Sequence, residues 1–129
     1  MTVHHIGYLV KNIEKAEAVF SGLGYSCITE RTFDPVRDIS IRFMRKDGYT
    51  VELISPVSED SVVAGLMRKF KNSPYHLCYE TEDLEKTVSD LEKNGFMRID
   101  EPCPAPALEG RRVCFLQSAR IGMIELLEA

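Results

Sequence analysis

HIGYLVKNIEK at residues 5–15 and HLCYETEDLEK at residues 76–86 align without a gap. His5 meets His76, Tyr8 meets Tyr79, Glu14 meets Glu85 and Lys15 meets Lys86. Further along, Gly24-Tyr25 falls opposite Gly95-Phe96, and Val51-Glu52-Leu53-Ile54 falls opposite Ile124-Glu125-Leu126-Leu127. Self-similarity at a fixed spacing marks a duplicated structural unit. The reading is therefore an α+β chain built from two tandem copies of one module, roughly residues 1–57 and 73–129. A linker helix over 60–71 joins them, and the 129 residues make one domain.

Each half carries the same succession of signals. An apolar-rich strand (Val3 to Val10; Tyr75 to Glu80) leads to a residue whose side chain can accept from free first-turn amides, Asn12 or Asp83. A helical stripe follows, Ile13, Ala16, Val19, Phe20 and Leu23 in the first half and Leu84, Val88 and Leu91 in the second. Gly24 and Gly95 suit the left-handed residue that ends a helix. Three strands are then expected in each half: Tyr25 to Thr32, Ile39 to Arg45 and Thr50 to Ser55; then Phe96 to Asp100, Arg112 to Gln117 and Gly122 to Glu128. Asp47-Gly48 is the turn within the first set. The modules are thus βαβββ. Asp60 is expected to cap the linker helix, with Asn72 and Pro74 ending it. Pro102-Cys103-Pro104-Ala105-Pro106 reads as a stiff, extended loop.

Composition narrows the function. Hydrophobic content is 44% and charged content 28%, values of an ordinary globular protein. A net charge of −4 argues against nucleic acid as a partner. No apolar run approaches the ~20 residues that cross a bilayer, so no membrane partner is expected and the localisation is read as cytoplasmic. Cys27, Cys78, Cys103 and Cys114 show neither CxxC pairing nor zinc-finger spacing and are expected to be reduced, with Cys78 and Cys114 as small apolar strand residues and Cys103 in an exposed loop.

Strand side chains alternate between the two faces of a sheet. Ile6, Tyr8 and Val10 therefore lie under the first helix and send His5 to the opposite face. Leu77 and Tyr79 do the same for His76. Glu52 sits between Val51 and Leu53, and Glu125 between Ile124 and Leu126. Two imidazoles and two carboxylates at equivalent places in a repeat make a candidate metal shell of His5, Glu52, His76 and Glu125, suited to Ni²⁺, Co²⁺, Fe²⁺, Mn²⁺ or Zn²⁺. His4 is read as structural. Arg42 and Arg112, on strands near the expected pocket, are the candidates for binding an anionic substrate.

The segments VHHIGYLV (3–10), VELISP (51–56), YHLCYE (75–80), VCFL (113–116) and IELLE (124–128) resemble the vicinal-oxygen-chelate superfamily over nearly the whole chain. That resemblance implies a cupped mixed sheet with helices on its convex face. It also implies a homodimer and a small-molecule substrate of the glutathione or CoA thioester type. The quartet matches the His/Glu/His/Glu shell of bacterial glyoxalase I. The implied activity is thus a lactoylglutathione-lyase-type isomerase with one divalent ion, Ni²⁺ or Co²⁺ ahead of Zn²⁺ or Mn²⁺. Glu125 is the implied base, with Glu52 the alternative. The alternative reading is a methylmalonyl-CoA epimerase-like enzyme. That family carries a further carboxylate on the third strand, where this chain has Ile41. A third possibility is a non-catalytic drug-binding protein of the same fold. Extradiol dioxygenases need an open two-histidine, one-carboxylate site, and Glu52 argues against them.

Overall fold

The computed structural model describes all 129 residues, Met1–Ala129, as an α+β chain of ten strands and three α-helices. It divides into two compact units, one of Ile6–Pro74 and the other of Met1–His5 with Tyr75–Ala129. Strand β1 (Thr2–Leu9) runs across that boundary.

In the unit of Ile6–Pro74, Asn12 accepts a hydrogen bond from the Lys15 amide and starts α1 (Ile13–Gly22). Gly24 follows at φ +100°, a conformation that only glycine adopts without strain. The ladder then runs through β2 (Ser26–Cys27), β3 (Thr32–Asp34), β4 (Ile39–Lys46) and β5 (Tyr49–Pro56). β4 and β5 form an antiparallel hairpin across Asp47-Gly48, and β5 pairs with β1 in parallel. Helix α1 covers the face carrying Val10, Met44, Val51 and Leu53, with Ile6, Tyr8, Ile13, Ala16 and Phe20 packed against them. The alternation read from the sequence is thus realised, and Glu52 points away from α1.

The linker helix α2 (Ala64–Phe70) starts later than expected. Asp60 does not cap it: no side chain does. Ser58 and Ser61 instead use their hydroxyls on the amides of Asp60 and Val63, holding the segment in turns before the helix begins. Asn72 leaves the helix and accepts the Lys11 amide.

The other unit repeats the scheme. Strand β6 (Ser73–Thr81) leads to α3 (Leu84–Lys93), capped by Asp83 on the Lys86 amide and followed by Gly95 at φ +94°. Strands β7 (Met97–Arg98), β8 (Cys103–Pro104), β9 (Arg112–Ser118) and β10 (Gly122–Glu128) complete it. β10 pairs with β6 in parallel and with β9 antiparallel. Under α3 lie Leu84, Val88, Cys114, Leu116, Ile124 and Leu126, with Tyr79 and Phe96 beside them. Leu77 departs from expectation and is 39% exposed. The proline segment is also less uniform than a simple extended loop, pairing as β8 and then turning through a 3-10 element, Pro106–Leu108.

Both units shorten the strand after the helix in the same way. Ile28 donates to the Phe43 carbonyl, and Thr29 Oγ1 accepts the Phe43 amide. Seventy-one positions on, Ile99 donates to the Phe115 carbonyl, and Asp100 Oδ1 accepts the Phe115 amide. A side-chain oxygen replaces a ladder carbonyl at the same place in each repeat, so the regular strand stops there. All four cysteines are free thiols, with Cys78 and Cys114 buried on strands and Cys103 half-buried.

Candidate metal centre

The central strands of the second unit, together with Met1–His5, bring three of the sequence-predicted residues together. His5, His76 and Glu125 are 1%, 5% and 3% exposed. His5 Nε2 and His76 Nε2 are 3.4 Å apart. Glu125 Oε1 lies 3.1 Å from the first and 3.3 Å from the second. Phe115, opposite Glu125 in the β9–β10 register, presents its ring edgewise to His76 at 5.2 Å between centroids. Tyr75 contacts the same imidazole at 4.5 Å. Phe115 was not singled out from the sequence. The alternation of Arg112, Cys114 and Leu116 under α3 is the signal that places it on the site face.

Burial of Glu125 works to raise its pKa. The two histidine contacts outweigh burial and hold the carboxyl well below the usual carboxylate range. Yet no hydrogen bond of normal geometry reaches the buried Glu125 Oε1. A buried carboxylate oxygen left without such a bond is costly. The three donor atoms form a triangle with sides of 3.1, 3.3 and 3.4 Å. Donors bound at about 2.1 Å are spaced by about 3.0 Å along an octahedral edge and about 3.4 Å along a tetrahedral one. The residues therefore fit a divalent cation, which would be shared by two neutral imidazoles and one carboxylate.

The flank of His5 is also polar. His4 Nδ1 lies 2.8 Å from His5 Nδ1, and Cys78 Sγ is within 4.8 Å of both histidines' donor atoms. Burial, followed by the His5 charge, lowers the His4 pKa against the opposing pull of Glu80 and Glu125. Burial likewise pushes the Cys78 thiol up to about 12, so it is a neutral thiol at ordinary pH. Glu80 pairs with Arg111, whose Nε also donates to the Glu128 carbonyl.

Glu52 belongs to the other unit. It is 4% exposed on β5, faces away from α1 and lies opposite Phe43 and Gly7 in the ladders. The β4 residues on the face of Glu52 are Ile39, Ile41 and Phe43, all buried and all apolar. The two arginines expected near the pocket take the helix sides instead. Arg42, opposite Leu53, pairs with Glu17 of α1 at 3.4 Å. Arg112 pairs with Glu85 of α3 and with Glu128. Their strand parity, even-numbered against odd-numbered Phe43 and Phe115, puts them under the helices.

A family model of the glyoxalase/bleomycin resistance protein/dioxygenase superfamily matches residues 4–115, and the chain belongs to that superfamily. Among curated relatives, it is 28% identical over 130 residues to the mitochondrial methylmalonyl-CoA epimerase of Homo sapiens, covering 98% of this chain and 73% of that one. It is 24% identical over 115 residues to the ethylmalonyl-CoA/methylmalonyl-CoA epimerase of Cereibacter sphaeroides, covering 88% and 86%. A structure of a Bacillus halodurans protein described as hypothetical superposes with a TM-score of 0.87 at 26% identity, over 99% of this chain and 94% of that one. Methylmalonyl-CoA epimerase from Mycobacterium tuberculosis superposes at 0.85 with 22% identity, over 98% and 87%, a likeness of fold. These relatives overturn the expected glyoxalase I reaction: the curated relatives quoted are acyl-CoA epimerases, not lactoylglutathione lyases. The histidine–carboxylate set on which the glyoxalase reading rested does not by itself select a substrate. No helix is long and apolar enough to cross a membrane.

Proposed function

We propose that the chain is a metal-dependent epimerase acting on a 2-substituted malonyl-CoA thioester. The observation that carries this reading is the buried His5–His76–Glu125 triangle in a chain whose whole length matches methylmalonyl-CoA epimerases. We take Glu52 as the fourth ligand because it is the repeat counterpart of Glu125 and is equally buried away from its helix.

The carbon between a thioester and a carboxylate is acidic enough for a carboxylate to deprotonate once the charge left on the carbonyl oxygens is stabilised. A divalent ion, if held by the quartet, would supply that stabilisation as a Lewis acid. Glu125, kept ionised by its histidine contacts, accepts the proton from C2 as the C–H bond breaks. Epimerisation requires the proton to return on the opposite face. Because Ile39, Ile41 and Phe43 offer no acid on β4, Glu52 is assigned as the second carboxyl group. Phe115 and Tyr75 pack edge-on against His76 and shield that imidazole from water. Arg42 and Arg112, engaged with their helices, have no assigned role in binding substrate.

The test is deuterium incorporation at C2 of methylmalonyl-CoA in D₂O, with metal-stripped protein and Co²⁺, Ni²⁺, Mn²⁺ or Zn²⁺ restored singly. Metal-dependent exchange accompanied by inversion, and lost in Glu125→Gln, is the expected result. Protein that binds a metal tightly yet exchanges no deuterium would remove this assignment.

A further inference from the structure

Beyond the four proposed ligands, the pairing of His4 with His5 has a consequence for the site. A neutral imidazole donates through one ring nitrogen and accepts through the other. Metal binding requires the ligating nitrogen to be bare. The 2.8 Å contact between the two Nδ1 atoms joins one donor to one acceptor, so it fixes both rings at once.

Two assignments are possible. If His4 donates, His5 carries its proton on Nε2, aimed among His76 Nε2 and Glu125 Oε1, where it obstructs a cation. If His5 donates, its Nε2 lone pair faces those two atoms. The second assignment is the one a cation requires, because it leaves a bare His5 Nε2 beside His76 Nε2 at 3.4 Å and Glu125 Oε1 at 3.1 Å. His4 also suits the acceptor's role. It is half-buried, so its own Nε2 proton can be solvated, whereas His5 is 1% exposed. The neighbouring Cys78 thiol is a weak acceptor and a poor substitute.

We propose that His4 is a positioning residue that accepts from His5 Nδ1 and thereby presents His5 Nε2 to the metal. The inference rests on the metal-site reading, and His4 itself touches neither ion nor substrate. A neighbour of this kind also restrains ring rotation, and loss of such partners typically weakens metal binding about 10–100-fold.

Two measurements test it. In metal-free protein, two-bond ¹H–¹⁵N correlation spectra are expected to show His5 as the Nδ1–H tautomer, and His4→Ala to lose that single-tautomer pattern. By calorimetry, His4→Ala is expected to bind Co²⁺ about 10–100-fold more weakly. His4→Asn, whose Oδ1 can stand where Nδ1 stood, is expected to recover binding to within a few-fold. An Nε2–H tautomer at His5 in the wild-type protein overturns the proposal. So does equal Co²⁺ affinity in wild type and His4→Ala. Should His4→Ala fail to fold, the wild-type spectrum and His4→Asn still decide. If the wild-type protein takes up no Co²⁺ at all, the metal reading fails, while the tautomer spectrum still judges the His4 contact.

Discussion

Glu125 combines three conditions that seldom coincide: near-complete burial, two imidazole nitrogens within 3.3 Å, and an oxygen without a hydrogen bond. Each neutral alternative discards one of them. Glu125→Gln preserves shape but removes the charge and puts an amide where a ligand oxygen is needed. The expected outcome is a drop in C2 exchange of about 10²-fold or more, the usual scale for losing a general base, followed by NMR in D₂O. Co²⁺ affinity, measured separately by calorimetry, is expected to fall in the same variant. These residues were legible from the sequence because the repeat put His5 over His76 and Glu52 over Glu125. Phe115 was less accessible to such reading: an aromatic residue on a strand has no chemical mark until the register sets it opposite Glu125. Arg42 and Arg112 illustrate the converse. Their charge suggested a ligand, but one residue of strand parity turned them toward helix carboxylates.

At the scale of elements, the caps were the most readable features. Asn12 and Asp83 hold the amides three residues on, and Gly24 and Gly95 take the left-handed conformation. Strand lengths after each helix were not readable, because they depend on Thr29 and Asp100 displacing ladder bonds that only the paired structure reveals. Asp60 failed as a cap because Ser58 and Ser61 capture nearby amides first. Helix α3 is fixed mainly by apolar burial. Leu84, 1% exposed, packs with Val88, Leu116 and Ile124. Leu84→Ala is expected to lower stability by about 2–5 kcal/mol, read from the urea midpoint at constant m-value. The Glu80–Arg111 pair ties β6 to the segment before β9 and depresses the Glu80 pKa through the Arg111 hydrogen bond. A depressed carboxyl stabilises the fold above its unfolded value of 4.5, and that contribution is lost as pH falls through the lower folded value. Glu80→Gln is therefore expected to be less stable than wild type near neutrality by about 0.5–1 kcal/mol, given the pair's partial exposure. The gap should narrow on titration below pH 4.5, as followed by denaturant melts.

For the whole molecule, the proposed metal centre would link metal binding to folding. An ion that binds the native chain and not the unfolded one stabilises it by about 2.7 kcal/mol at a hundredfold excess over its Kd. Co²⁺ is expected to raise the Tm of the stripped protein, EDTA to reverse the rise, and Glu125→Gln to show little of it in a thermal scan. A Tm indifferent to every metal tried would count against the centre. The duplication was visible in the sequence as a 71-residue offset, and it organises nearly every element. Substrate identity was not, because a shell of imidazoles and carboxylates serves many carbonyl chemistries, and it took the acyl-CoA epimerase relatives to redirect the reading.

The grouping of Met1–His5 with Tyr75–Ala129 has a consequence for biosynthesis. His5 leaves the ribosome about 120 residues ahead of Glu125, which at about 5–20 residues per second is a wait of roughly 6–24 s. The intervening Ile6–Pro74 unit can gather its own core during that interval. Met1–His5 must meanwhile wait without their partners, so the His5–His76–Glu125 cluster closes only after the whole Ile6–Pro74 unit has been synthesised.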